Sequence, residues 1–264
     1  MKKKNVQSNS KVINITNDAN FRLVESYKAL RTNLMFSLPQ KEGVKCRKLL
    51  FTSAGPGEGK TTTTVNLAVT LSQTESRVLL IDADMRKPTV HKYFNIESRV
   101  GLSNLLSGMN KKEECIQRLN NMPNLSVITS GILPPNPSEL LSCTAMKRLL
   151  AECEKEYDYI IIDTPPVNVV TDALALVKSV DGVAFVTAQG KSTYPDSAKA
   201  VETLRFANAN IIGVIINRCH SHKKSKNSNY GNYGTYSYKY KYKSMDPVLK
   251  EETEDGNDNT DENN

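Results

Sequence analysis

Apolar positions along this chain follow two different periods. From Phe21 to Ser37, Leu23, Val24, Tyr27, Leu30 and Leu34 recur at helical spacing, which predicts a helix with that face turned inward. Lys48 to Thr52, Arg77 to Asp82, Leu125 to Thr129, Tyr159 to Asp163, Gly182 to Thr187 and Ile211 to Asn217 are instead short apolar runs of strand length. Tyr159 to Asp163 is almost unbroken, as expected of a strand covered by helices on both faces. Between the strands, Thr61 to Gln73 reads as a helix packed through Val65, Leu67, Ala68 and Leu71. Glu139 to Tyr157 reads as another, entered through a rigid Pro134 to Pro137 corner with Ser138 as its N-cap. Strands alternating with helices predict an α/β fold, a doubly wound and mostly parallel sheet with its ligand at the strand C-terminal ends.

The pattern stops at both ends. Residues 1–20 are polar apart from Val12, Ile13 and Ile15 and read as a flexible arm or an edge strand. After Arg218, Asn, Ser, Gly, Lys and Tyr take over, with Tyr230, Tyr233, Tyr236, Tyr238, Tyr240 and Tyr242 in close succession. Such a segment has too little aliphatic surface to fold alone and is expected to be a disordered tail. The expected organisation is an arm over 1–20, a folded domain over 21–220, a Lys/Tyr-rich tail over 221–245 and an acidic end over 246–264.

Composition narrows the classes. The formal charge of +7 is unevenly spread: the stretch from Ser221 to Met245 carries six lysines and no acid, and the last nineteen residues carry eight acids against Lys250 alone. Blocks of this kind are solvated tail more often than a folded nucleic-acid groove. No apolar run approaches the roughly 18 residues of a membrane span, and the basic N-terminus lacks a signal-peptide core, so a cytosolic protein is expected. Five cysteines without C-x-x-C spacing are expected to be reduced and structural, and the three histidines form no zinc pattern.

Three segments carry the chemistry. Ala54 to Thr62 (AGPGEGKTT) follows a strand and opens a helix, the setting of a phosphate loop, although Ala54 replaces the first Gly of the usual G-x-x-x-x-G-K-[ST] spacing. Gly55, Pro56, Gly57, Glu58, Gly59, Lys60, Thr61 and Thr62 are therefore expected around a nucleotide triphosphate. Backbone N–H groups would cradle phosphate, Lys60 would neutralise its charge and Thr61 would ligate Mg²⁺. Asp82 and Asp84 end a strand two residues apart and point the same way if that strand continues. One could hold metal-bound water while the other takes a proton from an attacking hydroxyl. Asp163 ends the Tyr159 strand where a P-loop NTPase places its Mg²⁺-binding acid. Asn217, closing the last strand, is a candidate adenine contact or simply a turn-forming Asn.

Taken together, the phosphate loop, D-A-D-M-R at Asp82 to Arg86 and D-T-P-P at Asp163 to Pro166 resemble the bacterial tyrosine kinases of the capsular exopolysaccharide family. RKPTVHKYF (Arg86 to Phe94), GLSNLL (Gly101 to Leu106), LPPNPSELL (Leu133 to Leu141) and VTDALAL (Val170 to Leu176) agree with this, over residues 20 to 220. The resemblance implies ATP and Mg²⁺ as cofactors, with Lys60, Asp82 and Asp84 catalytic, Asp82 being the base or a metal neighbour. It implies a Mg²⁺ shell of Thr61, Asp84 and Asp163. The six tail tyrosines, Tyr230 to Tyr242, would be modified within a ring of copies, and modification would break that self-recognition. The family's ring motif E-x-x-R-x-x-R appears here as Glu25, Lys28, Arg31, with Lys in place of the first Arg. The same resemblance implies a membrane-anchored activator whose cytosolic tail completes the nucleotide site. It also implies protein substrates such as sugar-nucleotide enzymes, recruitment to the inner face of the cell membrane and control of capsule or exopolysaccharide production.

Two rival readings stand beside it. A ParA/MinD-like positioning ATPase shares this fold, but its signature Lys would fall at Gly55. A tail that binds single-stranded nucleic acid would use the same lysines and aromatics, without any recognisable binding module, so no specific nucleic-acid partner is expected.

Overall fold

The structure is a computed structural model that describes residues 21–38 and 46–219. Seven strands form one sheet: β1 (Arg47–Ser53), β2 (Val78–Asp82), β3 (Gln117–Leu119), β4 (Met122–Ile128), β5 (Tyr159–Asp163), β6 (Gly182–Ala188) and β7 (Ile211–Asn217). Their order is β3-β4-β2-β5-β1-β6-β7, and every pairing is parallel except the β3–β4 hairpin. After β1 the chain builds outward through β2 and β4. It then returns as β5 between β2 and β1, and β6 and β7 extend the other side. The expected doubly wound, mostly parallel α/β fold is therefore the observed one.

Alternation along the central strands feeds two cores, one on each sheet face. Leu50, Leu79, Ile81, Ile160 and Ile162 point to a core closed by α6 (Pro137–Ser142), α7 (Thr144–Cys153), α8 (Asp172–Leu176) and α9 (Tyr194–Phe206). Leu49, Phe51, Val78, Leu80 and Ile161 point to the opposite core, closed by α1 (Phe21–Ser37) and α2 (Lys60–Ser72). This double coverage explains the unbroken apolar runs. At the sheet edge, β7 is covered less, and Val214 and Ile216 remain exposed on it.

Short helices α3 (Val90–Phe94), α4 (Leu102–Leu106) and α5 (Lys112–Cys115) fill the connection from β2 to β3. Among the described residues, no helix is long and apolar enough to cross a membrane. Cys46, Cys115 and Cys153 are buried free thiols, and burial pushes them up to about 12, 11 and 12.

Several expectations are corrected. The helix expected over Glu139 to Tyr157 is two helices, because Cys143 takes an extended backbone between α6 and α7. Asn136, followed by Pro137 at the first helical position, occupies the N-cap, and the Ser138 hydroxyl is turned to Asp172 instead. In α1, Val24, Tyr27 and Leu34 are buried as expected, but Leu23 is 43% exposed. The third strand starts three residues before Leu125, since β4 runs past the end of β2 to pair Met122 with Leu119 of β3, a strand too short and too shallow to leave an apolar pattern. The arm over 1–20 and the tail over 221–264 lie outside the described residues.

Candidate active site

The phosphate loop leaves β1 at Ser53 and turns into α2 at Lys60. Gly57 and Gly59 take φ of 73° and 88°, a left-handed backbone that a side chain disfavours. At Gly59 a Cβ would also lie 1.8 Å from the Asn217 amide nitrogen. The turn therefore needs glycine there for two reasons. Because α2 begins immediately afterwards, its first N–H groups face the loop, which is the standard anion-binding end of a helix.

Lys60 and Asp163 are both buried, and the ammonium donates to Asp163 Oδ1 at 2.7 Å. Thr61 donates its hydroxyl to the other oxygen, Oδ2, at 2.6 Å, and Thr64 donates to Oδ1 at 3.3 Å. Three residues of α2 thus converge on the carboxylate that ends β5. Burial raises Asp163 above the ordinary carboxylate range, while the Lys60 charge and the two hydrogen bonds from Lys60 and Thr61 pull it back.

Asp82 and Asp84 do not share a face. β2 stops at Asp82, so strand alternation does not carry on to Asp84. Asp82 is fully buried and turned into its own loop: Oδ1 accepts from the Asp84 N–H at 3.2 Å, and Oδ2 accepts from the Thr89 and Val90 N–H groups at 3.2 and 3.1 Å. Burial first, and the Asp163 charge second, push its carboxyl up to about 8. Asp84 is half-buried and lines a cavity of about 420 Å³. That cavity is also walled by Gly55, Pro56, Gly57, Gly59, Lys60, Thr61, Thr62, Arg86 and Arg218. Its size suits a small-molecule ligand.

Two residues expected at the nucleotide brace the loop from behind. Glu58 is buried, accepts from the Gly55 N–H at 3.0 Å and receives the Ser192 hydroxyl on its other oxygen. The Asn217 amide donates to the Glu58 carbonyl at 3.1 Å, so Asn217 acts on the loop backbone. The sequence pattern did not single out Arg218, which donates to the Gly57 carbonyl at 2.7 Å, or Tyr93, whose hydroxyl is 2.6 Å from that of Thr62. Arg218 directly follows Asn217 at the end of the last strand, and that position was the one available signal for it.

Of the ring residues, Lys28 pairs with Glu25 at 2.7 Å on the exposed face of α1. Arg31 instead donates to the Thr70 carbonyl of α2 at 3.1 Å. The tail tyrosines lie outside the described residues.

A family model described as an AAA domain matches residues 48–194. The chain is 44% identical over 211 residues to the tyrosine-protein kinase YwqD of Bacillus subtilis (strain 168), covering 80% of this chain and 86% of that one. It is 36% identical over 218 residues to the tyrosine-protein kinase CpsD of Streptococcus agalactiae, covering 82% and 92%. The chain belongs to the bacterial tyrosine kinases of capsule and exopolysaccharide systems. The solved kinase domain of the Escherichia coli tyrosine kinase Etk superposes on this kinase with a TM-score of 0.68 at 35% identity, covering 79% of this chain and 80% of that one. Relatives at this level decide between the kinase and the positioning ATPase, which the phosphate loop alone leaves open.

Proposed function

We propose that this kinase transfers the γ-phosphoryl group of ATP to Tyr230, Tyr233, Tyr236, Tyr238, Tyr240 and Tyr242 of a neighbouring copy, and thereby regulates capsular or exopolysaccharide synthesis and export. The reading is carried by one observation: Lys60 and Thr61 meet Asp163 beside a cavity that Asp84 also lines.

Lys60 and the first N–H groups of α2 would bind the β- and γ-phosphates, and transfer would rest on positioning and charge rather than covalent chemistry. Thr61 Oγ1, Asp84 and Asp163 would hold Mg²⁺, which when bound offsets the charge of the phosphates. These hard oxygen donors suit that ion. Among the described residues no cluster of three His, Cys, Asp or Glu could hold a metal unaided, which fits an ion that takes its remaining ligands from phosphate and water.

Asp82 would take the tyrosine proton. Its carboxyl, pushed up to about 8 by burial and the Asp163 charge, would first have to give up its own proton before accepting one near neutrality. Three loop N–H groups now hold that carboxylate, so the loop from Asp84 to Val90 must release it first.

In this reading the kinase domain spans 21–220, with an arm over 1–20, an acceptor tail over 221–245 and an acidic end over 246–264. Glu25, Lys28 and Arg31 would contribute to a ring of copies. A membrane-anchored activator would complete the nucleotide site and draw this cytoplasmic kinase to the inner face of the membrane. Sugar-nucleotide enzymes would be its protein substrates.

The test is mass spectrometry of the tail after incubation with Mg²⁺-ATP, with Lys60→Met as control and with the activator's cytosolic segment present. Phosphate on Tyr230 to Tyr242 in the wild type alone supports the proposal. ATP hydrolysis with an unmodified tail sinks it.

A further inference from the structure

Three segments far apart in the chain, Arg86 to Phe94, Leu133 to Leu141 and Val170 to Leu176, meet at one guanidinium. Arg86 follows Asp84 by two residues and lines the same cavity as Asp84 and Lys60. Behind it stands Asp172, with no exposed surface. The two pair side by side: Arg86 Nε donates to Asp172 Oδ2 at 2.9 Å, and Nη2 donates to Oδ1 at 3.0 Å. From α6, the Ser138 hydroxyl donates to the same Oδ1.

Burying a carboxylate for the sake of one ion pair is a poor device for stability, since the desolvation cost offsets much of the attraction. It is a good device for aiming a cation. The carboxylate claims two of the five guanidinium N–H groups, leaving both on Nη1 and the second on Nη2. With its side chain 41% exposed, Arg86 can offer those donors to the cavity without having to be ordered when the ligand arrives. A planar, pre-oriented fork matches phosphoryl oxygens in a way that a free lysine such as the neighbouring Lys87 does not.

We propose that Asp172, supported by Ser138, is a positioning residue that holds Arg86 as a fixed donor to the phosphoryl group in transfer. The inference rests on the nucleotide occupying this cavity. Fixed donors act most strongly where charge develops, so the contribution falls on the transition state rather than on nucleotide binding.

The test uses the full chain and two ligands, ADP with Mg²⁺ and ADP with Mg²⁺ and fluoroaluminate, an analogue of the phosphoryl group in flight. Asp172→Asn should leave the ADP dissociation constant within about twofold of wild type and weaken the fluoroaluminate complex at least tenfold. It should slow transfer roughly a hundredfold, the scale of one lost transition-state donor. Arg86→Lys should do the same, and the double variant should be no worse than either single one. Ser138→Ala, which removes only one bond to Asp172, should weaken the analogue complex severalfold and lower the melting temperature by no more than a few degrees; it serves where Asp172→Asn does not fold. The proposal is overturned if analogue and ADP affinities fall together, if the Asp172→Asn and Arg86→Lys effects add, or if Ser138→Ala and Asp172→Asn both bind the analogue as wild type does. A wild type that binds the analogue tightly yet leaves its tail unmodified overturns the tail-acceptor reading alone.

Discussion

Asp82 and Asp163 are register partners at the C-terminal ends of adjacent parallel strands, and both carboxyl groups are buried. Two such groups side by side cannot share one ionisation behaviour. Lys60 and Thr61 bond directly to Asp163 and stabilise its charge, whereas Asp82 bonds to loop N–H groups, feels Lys60 only through space and keeps its proton to about pH 8. The asymmetry arises because α2 packs its cation and hydroxyls over the end of β5 rather than that of β2.

This pair sets a pH dependence. Between about pH 4, where an unfolded Asp ionises, and about pH 8, the folded chain retains a proton on Asp82 that the unfolded chain has released. The unfolded state then binds fewer protons, so stability falls as pH rises, by up to about 1.4 kcal/mol per pH unit from this group. Asp82→Asn should remove the slope, gaining on the wild type from pH 5 to pH 8 in urea unfolding of nucleotide-free protein. A wild type–variant difference that does not change with pH would mean that Asp82 is ionised throughout.

Lys60→Met tests the other half of the pair. It leaves Asp163 buried without its cation, a change that costs about 3–5 kcal/mol when the carboxylate stays charged. The loss measured by urea unfolding should be largest near pH 8 and shrink as pH falls, because burial already favours the protonated form of Asp163 and the Lys60 charge no longer opposes it. Lys60→Met with Asp163→Asn should recover most of the stability and none of the tyrosine phosphorylation. A single variant as stable as wild type at pH 8 would show that Lys60 matters to the ligand alone.

The phosphate loop and the parallel sheet were legible because their signals are local. Glycines set the turn, Lys60 and Thr61 open a helix, and β1, β2 and β5 are short apolar runs that each end at the site. What the residues do to one another was less legible. Asp82 and Asp84 were expected on one side of a strand, but β2 ends between them and each finds different partners. Glu58 and Asn217 belong to the phosphate-loop neighbourhood, yet Glu58 folds back on the Gly55 N–H within the loop itself, and the Asn217 bond to the Glu58 carbonyl comes from a close approach of β7 to the loop. Arg86 and Asp172 are separated by the whole span from β2 to α8, and no periodicity connects them.

The three residues of the ring motif should separate in stability. Lys28 and Glu25 form an exposed pair one helical turn apart, so removing either should change stability by less than about 0.5 kcal/mol. Arg31 fixes α1 to α2 through the Thr70 carbonyl in a partly buried setting, and Arg31→Ala should cost about 1 kcal/mol. Paired with sedimentation, the series also tests the ring. A variant that dissociates without losing stability marks an interface residue, whereas dissociation only in step with unfolding marks a residue that docks the helix.

Gly59→Ala should be the most damaging small change in the phosphate loop. It asks an L-residue to adopt φ of 88° and places a methyl group 1.8 Å from Asn217 Nδ2. The backbone conformation alone costs about 1–3 kcal/mol, and the collision comes on top. Gly55→Ala is the control, because its backbone is ordinary and no atom lies within 4 Å of the added Cβ. Asn217→Ala relieves the collision but gives up the bond to the Glu58 carbonyl, so Gly59→Ala with Asn217→Ala should lose less stability than the two single losses combined. Thermal melting reads the stability, and titration with a fluorescent ATP analogue reads the loop. Gly59→Ala should lose nucleotide binding in either background, since φ remains wrong after Asn217 is cut back. Full binding by the double variant would show that the collision, and not the left-handed turn, is what makes glycine necessary at 59.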